Sequence, residues 1–347
     1  MDGIYTNGNI EENPYRIEDV ELEITNVCSH KCPYCYNGDL DSGNRPYFGD
    51  LALLCKIVDR IAAYGAKNII LLGGDPVTHP HLIKLLQYIK SHTSLNVTIM
   101  SNTLNFSDVT ISEVASYIDE IQFTLHGATA NEHEIFCKAK HGTYEKVVNR
   151  MKEFISCGIE VKIVINIIPK TYDRIYDMTK SMFDQGVNFK TLLLQRIFPC
   201  GRATDSNEFN VVKKQISCVF EQLEQIEKQY GLNIIFEDPF PLCYVKEQDH
   251  KYLPGCPSGI NRIAIRGDGR VAYCSAVDGI DLGNILTDSY EKIWSQNNYF
   301  NKLRNLKYLT NEKCKNCQYI NKCRGGCPIL YMLSENMGNN FYDKFEQ

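Results

Sequence analysis

No apolar run in this 347-residue chain approaches the roughly 20 residues that a membrane-spanning helix needs. The opening residues, Met1-Asp-Gly-Ile-Tyr-Thr-Asn7, lack the charged-then-apolar order of a secretory signal. These two absences lead to an expectation of a cytoplasmic protein with no membrane partner. Basic charge is not in excess either: 37 Lys and Arg stand against 42 Asp and Glu, a formal net charge of −5. A nucleic-acid binder is read from a basic surface, so that class is set aside. Internal repeats and low-complexity tracts are missing. What remains is an ordinary globular composition, 44% hydrophobic and 23% charged, in a chain long enough for one large unit and a smaller domain.

Cysteine is the residue in abundance. There are fifteen, concentrated near residues 28–35 and 243–327. Disulfide scaffolds belong to short secreted domains, so clustering at metal-ligand spacing favours metal centres here. The first group is Cys28-Ser-His-Lys-Cys32-Pro-Tyr-Cys35, just after the alternating run Val20-Glu-Leu-Glu-Ile24. A 4Fe–4S cluster is normally held by four thiolates. Three leave one iron without a protein ligand, and an open metal position is where chemistry happens, as at catalytic zinc. A zinc knuckle or three buried thiols is the alternative reading of this stretch alone.

Apolar, β-branched segments at Glu21–Thr25, Asn68–Leu72, Asn96–Ser101, Glu120–Leu125, Glu160–Ile168 and Lys190–Ile197 read as strands. Amphipathic stretches separate them: Asp50–Tyr64, Pro80–Ser91, Ser112–Tyr117, Thr143–Cys157 and Tyr172–Gln185. Such alternation predicts an α/β fold with a parallel sheet and right-handed crossovers. Six units are too few for the closed eight-stranded barrel, which leaves a partial (β/α)6 barrel. The expected divisions are an N-terminal arm at 1–19, the barrel at 20–200, a linker helix and strand at 201–240, and a cysteine-rich domain at 241–347. In the last of these, Ile263–Cys274 reads as a β-hairpin around a Gly-Asp-Gly turn.

The cysteine spacing, with Tyr34 before the last thiol, resembles the signature of the radical S-adenosylmethionine (radical SAM) enzymes. In that family the open iron chelates SAM, whose reductive cleavage gives a 5′-deoxyadenosyl radical that abstracts hydrogen from the substrate. The resemblance implies SAM contacts at several later positions. Gly73-Gly74-Asp75-Pro76 is similar to the family's Gly-Gly-Glu-Pro loop, with Asp75 one methylene shorter than the usual Glu and glycines that let the backbone approach closely. An Asp cap on a helical turn is the other reading of Asp75. Ser101-Asn102-Thr103 occupies the place of the turn near the SAM ribose. Thr124 stands where the family has a hydroxyl for the SAM carboxylate, Lys138 near a basic partner for it, and Leu194 beside the adenine. His126 is read as structural.

A second run, Cys314-x2-Cys317-x5-Cys323-x3-Cys327, is preceded by Cys256 and Cys274. With Gly283-Asn-Ile285, Ile293-Trp294 and Arg324-Gly-Gly-Cys327-Pro328, it resembles the SPASM domain of peptide- and protein-modifying radical SAM enzymes. The resemblance covers about residues 20–335 and implies two auxiliary 4Fe–4S clusters. Carried over position by position, the first takes Cys243, Cys256, Cys274 and Cys327, and the second takes Cys314, Cys317 and Cys323. The family's further cysteine beyond the last motif position is not matched here, so Asp343, water or a substrate thiolate is expected at that iron. Zinc is the alternative for these thiols. Cys55, Cys137, Cys157, Cys200 and Cys218 are expected to be buried small hydrophobes.

The resemblance leads to oxidative modification of a ribosomally made peptide, as a thioether or carbon–carbon crosslink. The text Gln195-Arg196, Pro199 and Gly201-Arg202 is similar to such enzymes. A sulfatase-type maturase is disfavoured, because Ser275 follows Cys274 where those enzymes carry an Asp base. A small-molecule dehydrogenase or epimerase stays open, as does a non-catalytic iron–sulfur scaffold, which would have no use for Gly73–Pro76. The expected partners are a peptide and an external donor, flavodoxin or ferredoxin. Residues 1–19 leave no room for the winged-helix leader-recognition domain of many peptide maturases, so a separate leader-binding protein, a short substrate or a substrate that is not a peptide is expected. No catalytic side chain is singled out. Anaerobically reconstituted protein should bind about 12 irons, on four per cubane. The variant Cys28→Ala, Cys32→Ala, Cys35→Ala should lose about a third of them by the same rule. Stoichiometric zinc with negligible iron in metal analysis would overturn the reading.

Overall fold

The computed structural model describes residues 15–37, 45–102, 106, 108–204, 208–277 and 279–331. Six strands lie within a residue or two of their expected places: β1 (Asp19–Thr25), β2 (Asn68–Gly73), β3 (Asn96–Met100), β4 (Glu120–Leu125), β5 (Glu160–Ile167) and β6 (Thr191–Arg196). They pair in sequence order, all parallel. The crossovers are α1 (Leu51–Ala63), α2 (Leu82–His92), α3 (Asp108–Ala115), α4 (Ala130–Cys137), α5 (Thr143–Ser156) and α6 (Ile175–Asp184). Helix α4 was not among the expected elements. Its signal was present, since Thr129 and Glu132 form a reciprocal capping box.

Strand alternation sorts the side chains. On β1, Val20, Leu22 and Ile24 enter the main core, together with Leu54, Ile57, Val58 and Ile61 of α1. Glu21 and Glu23 face the other way, toward the guanidinium groups of Arg262 and Arg266. A sheet with an apolar helix-facing side and a polar opposite side is the condition for a reactive cleft.

The sheet extends past both expected edges. Helix α7 (Lys213–Tyr230) leads into β7 (Asn233–Phe236), which pairs in parallel with β6. The segment read as a linker therefore adds a seventh parallel strand. Its strand is only four residues long, too short for periodicity to reveal, but Ile234 and Phe236 are buried beneath α7 residues such as Phe220 and Leu223. At the other edge, β8 (Arg262–Ile265) pairs in parallel with β1, and β9 (Val271–Ala272) returns antiparallel to it. The expected hairpin is present, and its first strand joins the barrel sheet directly. Of the five cysteines expected to be buried, only Cys137 is; Cys157 is exposed and Cys55, Cys200 and Cys218 are half-buried. An amphipathic helix has as many boundary positions as buried ones, which composition alone does not separate.

Behind the hairpin come a short π-helical turn (Glu291–Ser295) and α8 (Asn298–Arg304). They close over Trp294, which is fully buried. Its ring meets Phe300 edge-on at 5.2 Å and lies 4.2 Å from the Arg304 guanidinium, and its indole N–H donates to the Tyr15 carbonyl at 2.9 Å. Trp294→Ala should therefore cost about 3–5 kcal/mol, the range for emptying a large aromatic site. Urea unfolding followed by circular dichroism measures this, since Trp294 is the sole tryptophan and its fluorescence is lost with it.

Candidate active site

The site begins where β1 ends. Beyond Thr25 the chain is pinned by the loop after β2: the Gly74 N–H donates to the Thr25 carbonyl and the Asp75 N–H to the Val27 carbonyl, both at 2.7 Å. Gly73 has φ +141°, and a Cβ there would lie 2.0 Å from the Thr25 carbonyl oxygen. At Gly74 a Cβ would lie 2.1 Å from that of Val27. The close approach expected of these glycines is thus made by the chain's own backbone, at the root of the cysteine loop. Asp75 is 1% exposed and caps the 3-10 turn Pro76–Thr78. Its Oδ1 accepts from the Val77 N–H at 3.2 Å and the Ser101 hydroxyl at 2.8 Å. The capping role is real, and it fixes the carboxylate within the site.

A second clasp comes from the loop after β6. The Arg202 N–H donates to the Cys35 carbonyl at 3.0 Å, and its guanidinium to the Cys32 carbonyl at 3.1 Å. Gly201, at φ +55°, sits so close that a Cβ would lie 2.3 Å from the Cys35 carbonyl oxygen. Gly201-Arg202 stood out in the sequence only as similar text, because a contact between segments so far apart in the chain has no local signal.

The three thiols are drawn together and away from water. Burial, with Asp75 and Cys35 nearby, pushes Cys28 up to about 12, and burial beside Cys137, Cys35 and Cys28 raises Cys32 further. The surroundings nonetheless donate to sulfur: the His30 N–H lies 3.4 Å and the Asn102 amide 3.5 Å from Cys28 Sγ. Arg202 draws Cys32 down. Thiols that repel one another as anions and are met by donors suit a polynuclear cation, whose binding displaces their protons. By this donor chemistry the loop fits an iron–sulfur cluster.

Tyr34 packs on Phe136 and His126, each with ring centres 5.6 Å away, and its hydroxyl lies 3.3 Å from His126 Nε2. Burial holds His126 well below its ordinary value, with His133 and His30 adding to the effect. These rings form a neutral wall beside the loop, in keeping with a structural His126; Phe136 and His133 had no sequence signal tying them to Tyr34. Thr124 is half-buried on β4, opposite Val164 of β5. Lys138 is exposed, at the left-handed C-cap of α4. Leu194 corrects an expectation: it is fully buried in the helix-side core with Leu192, on the opposite face of β6 from Gln195. It does not line the polar side. Thr103 and Asp343 lie outside the described residues.

On the polar side, Glu237 accepts from the Gln195 amide. Burial raises its carboxyl to about 7, against the pull of Arg262 and Lys162. Glu21 accepts from the Ser275 N–H at 3.2 Å, which brings the hairpin cysteine Cys274 beside β1. A cavity of about 520 Å³ opens at this junction, lined by Glu23, Tyr36, Tyr47, Arg266 and Ser275. It touches the residue after Cys35 and the residue after Cys274.

The C-terminal thiols form two groups. Cys256, Cys274 and Cys327 act on one another through their charges, and Cys256 Sγ lies 3.2 Å from the Tyr273 hydroxyl. Cys314, Cys317 and Cys323 form the other, on and between α9 (Glu312–Lys315) and α10 (Ile320–Cys323). Cys243 was expected with the first group and stands with the second. Among the described residues no three His, Cys, Asp or Glu groups converge as ligands of a single metal ion.

The radical SAM superfamily model matches residues 22–182, and the SPASM iron–sulfur cluster-binding domain matches residues 256–318. The chain is 25% identical to the sporulation killing factor maturation protein SkfB of Bacillus subtilis (strain 168), over 90% of this chain and 72% of that protein. It is 21% identical to an AdoMet-dependent heme synthase of Oleidesulfovibrio alaskensis, over 89% and 81%. Streptococcus suis SuiB, solved with S-adenosylmethionine, superposes with a TM-score of 0.75 at 16% identity, over 94% of this chain and 76% of that one. The chain is an iron–sulfur enzyme of the radical SAM superfamily. It carries, behind the barrel, the SPASM domain.

Gly74→Ala should force the Val27 carbonyl aside and with it the cysteine loop. We expect loss of about a third of the iron, the share of one cubane in three, with unfolding unchanged in cooperativity. Iron analysis alongside thermal melting checks this.

Proposed function

We propose that this chain cleaves SAM reductively and uses the resulting radical to modify a ribosomally synthesised peptide oxidatively, closing a thioether or carbon–carbon crosslink. The observation that carries this reading is the shared junction of the two cysteine regions, where Tyr36 and Ser275 line one cavity. A substrate seated there would lie between the loop that carries Cys35 and the hairpin that carries Cys274. SkfB is named a maturation protein, and SuiB has been solved with its precursor peptide SuiA, which supports a peptide as substrate. The heme synthase keeps a small-molecule substrate as the second reading.

Bound at these residues, one catalytic and two auxiliary 4Fe–4S clusters with SAM supply the radical and take up the electron. The chain's own groups do the rest. Cys28, Cys32 and Cys35 hold the catalytic cluster, and the clasps from Gly74 and Arg202 set its place. Asp75, fixed by Ser101, would offer its carboxylate to the SAM ammonium, with Asn102 beside the cysteine loop. Thr124 on β4 would offer its hydroxyl to SAM, and Tyr34, packed on Phe136, would flank the cluster. No helix among the described residues is long and apolar enough to cross a membrane. We place the enzyme in the cytoplasm, with flavodoxin or ferredoxin as electron donor.

Dithionite-reduced enzyme should convert SAM to 5′-deoxyadenosine and methionine. Asp75→Ala should weaken SAM binding by about 1.5–3 kcal/mol, the worth of a hydrogen bond to a charged partner. Calorimetric titration with SAM reads the loss, and an unchanged affinity would assign Asp75 to capping alone. With short peptides encoded beside the gene, mass spectrometry should show a pair of hydrogens lost per crosslink. Turnover of SAM with none of them altered would move the substrate to the small-molecule class.

A further inference from the structure

The segment after β7 carries an isolated cysteine. Two prolines, Pro239 and Pro241, precede it, and a single 3-10 turn, Leu242–Tyr244, fixes Cys243. The Leu242 N–H donates to Cys323 Sγ at 3.3 Å, so the residue beside Cys243 already touches the second cysteine group.

The rest of the segment is tied to the same place. His250 Nε2 lies 3.1 Å from the Leu242 carbonyl, and its ring meets Tyr319 edge-on at 5.0 Å. The His250 carbonyl accepts from Lys322 Nζ at 2.9 Å, and the Tyr319 hydroxyl donates to Glu247 at 2.8 Å. Gly255, at φ +91°, lies against the Lys322 carbonyl, where a Cβ would be 2.7 Å from the oxygen. Residues 242–255 therefore wrap the Tyr319–Cys323 turn. Only past Gly255 does the chain leave for Cys256, whose sulfur meets Tyr273 on the hairpin side.

We propose that Cys243 is the fourth ligand of the cluster held by Cys314, Cys317 and Cys323, which is thereby fully cysteine-ligated. Cys256, Cys274 and Cys327 hold the other auxiliary cluster with three thiolates. The division differs from the one the family resemblance implied, and it replaces Asp343 at the second cluster. Cys323, Cys314 and Cys317 are the thiols whose charges act on Cys243, and a 4Fe–4S cluster is normally held by four thiolates. The Leu242 N–H would then be a hydrogen bond to a cluster ligand, of the kind that tunes a cluster's potential. The proposal rests on the SPASM region holding iron–sulfur clusters.

The test uses the full chain with Cys28→Ala, Cys32→Ala and Cys35→Ala as parent, leaving about eight irons on four per auxiliary cubane. Removing Cys314 and Cys317 (both to Ala) should leave about half of them and one electron paramagnetic resonance signal. Adding Cys243→Ala to that variant should change neither iron content nor spectrum. In the complementary variant, Cys256→Ala with Cys274→Ala, adding Cys243→Ala should shift the remaining signal or remove its iron. The reverse pattern overturns the proposal. A parent with no iron would overturn the reading beneath it instead. Anomalous density at the iron edge in unsubstituted protein gives the answer without relying on variants that fold. Iron shared by Cys243 and Cys323 supports the assignment, and iron shared by Cys243 and Cys256 overturns it.

Discussion

The pair of 2.7 Å hydrogen bonds from Gly74 and Asp75 to the Thr25 and Val27 carbonyls is the constraint from which the site follows. It converts the end of a strand into a fixed platform. A loop of ten residues carrying three thiols would otherwise sample many arrangements, at an entropic cost of about 1–2 kcal/mol per residue ordered. Two glycines are needed because the approach is backbone to backbone, with no space for a Cβ. Arg202 then grips the far side of the same loop, so both ends of the thiol run are held by residues distant in sequence.

The pairing of β8 with β1 gives the second half of the arrangement. Because Arg262–Ile265 continues the barrel sheet, the hairpin cysteine lies against the strand that leads to the first cysteine group. Glu21 and Glu23 serve both sides: each is aligned by β1 and each meets an arginine from the hairpin strand or its turn. The two metal-binding regions are thus registered to one another by strand hydrogen bonds, which are stiffer than an interdomain contact.

Much of this was legible. Six strands and the cysteine groups stood out because period-two apolar runs and thiol spacing are local patterns. What was not legible is long-range. β7 is four residues long, and its partner residues are 42 positions away. The seat of Cys243 depends on His250, Tyr319 and Lys322 meeting, which no spacing records. Leu194 was misplaced because an apolar residue on a strand reads the same whichever face it takes. Gly73 and Gly74 lie against the Thr25 and Val27 backbone, and a Gly-Gly pair marks a close approach without saying what approaches.

The parallel pairing of β1 with β8 also has a consequence for how the chain is made. Strand β1 leaves the ribosome long before β8, so one of its two edges stays without a partner until residue 262 has been synthesised. An unpaired parallel edge is a template for wrong association, and long-range parallel pairing is slow to form. Glu21 and Glu23 place charges on that edge strand, a device that discourages intermolecular pairing. The same carboxylates that later meet Arg262 and Arg266 would guard the nascent chain while it waits for them.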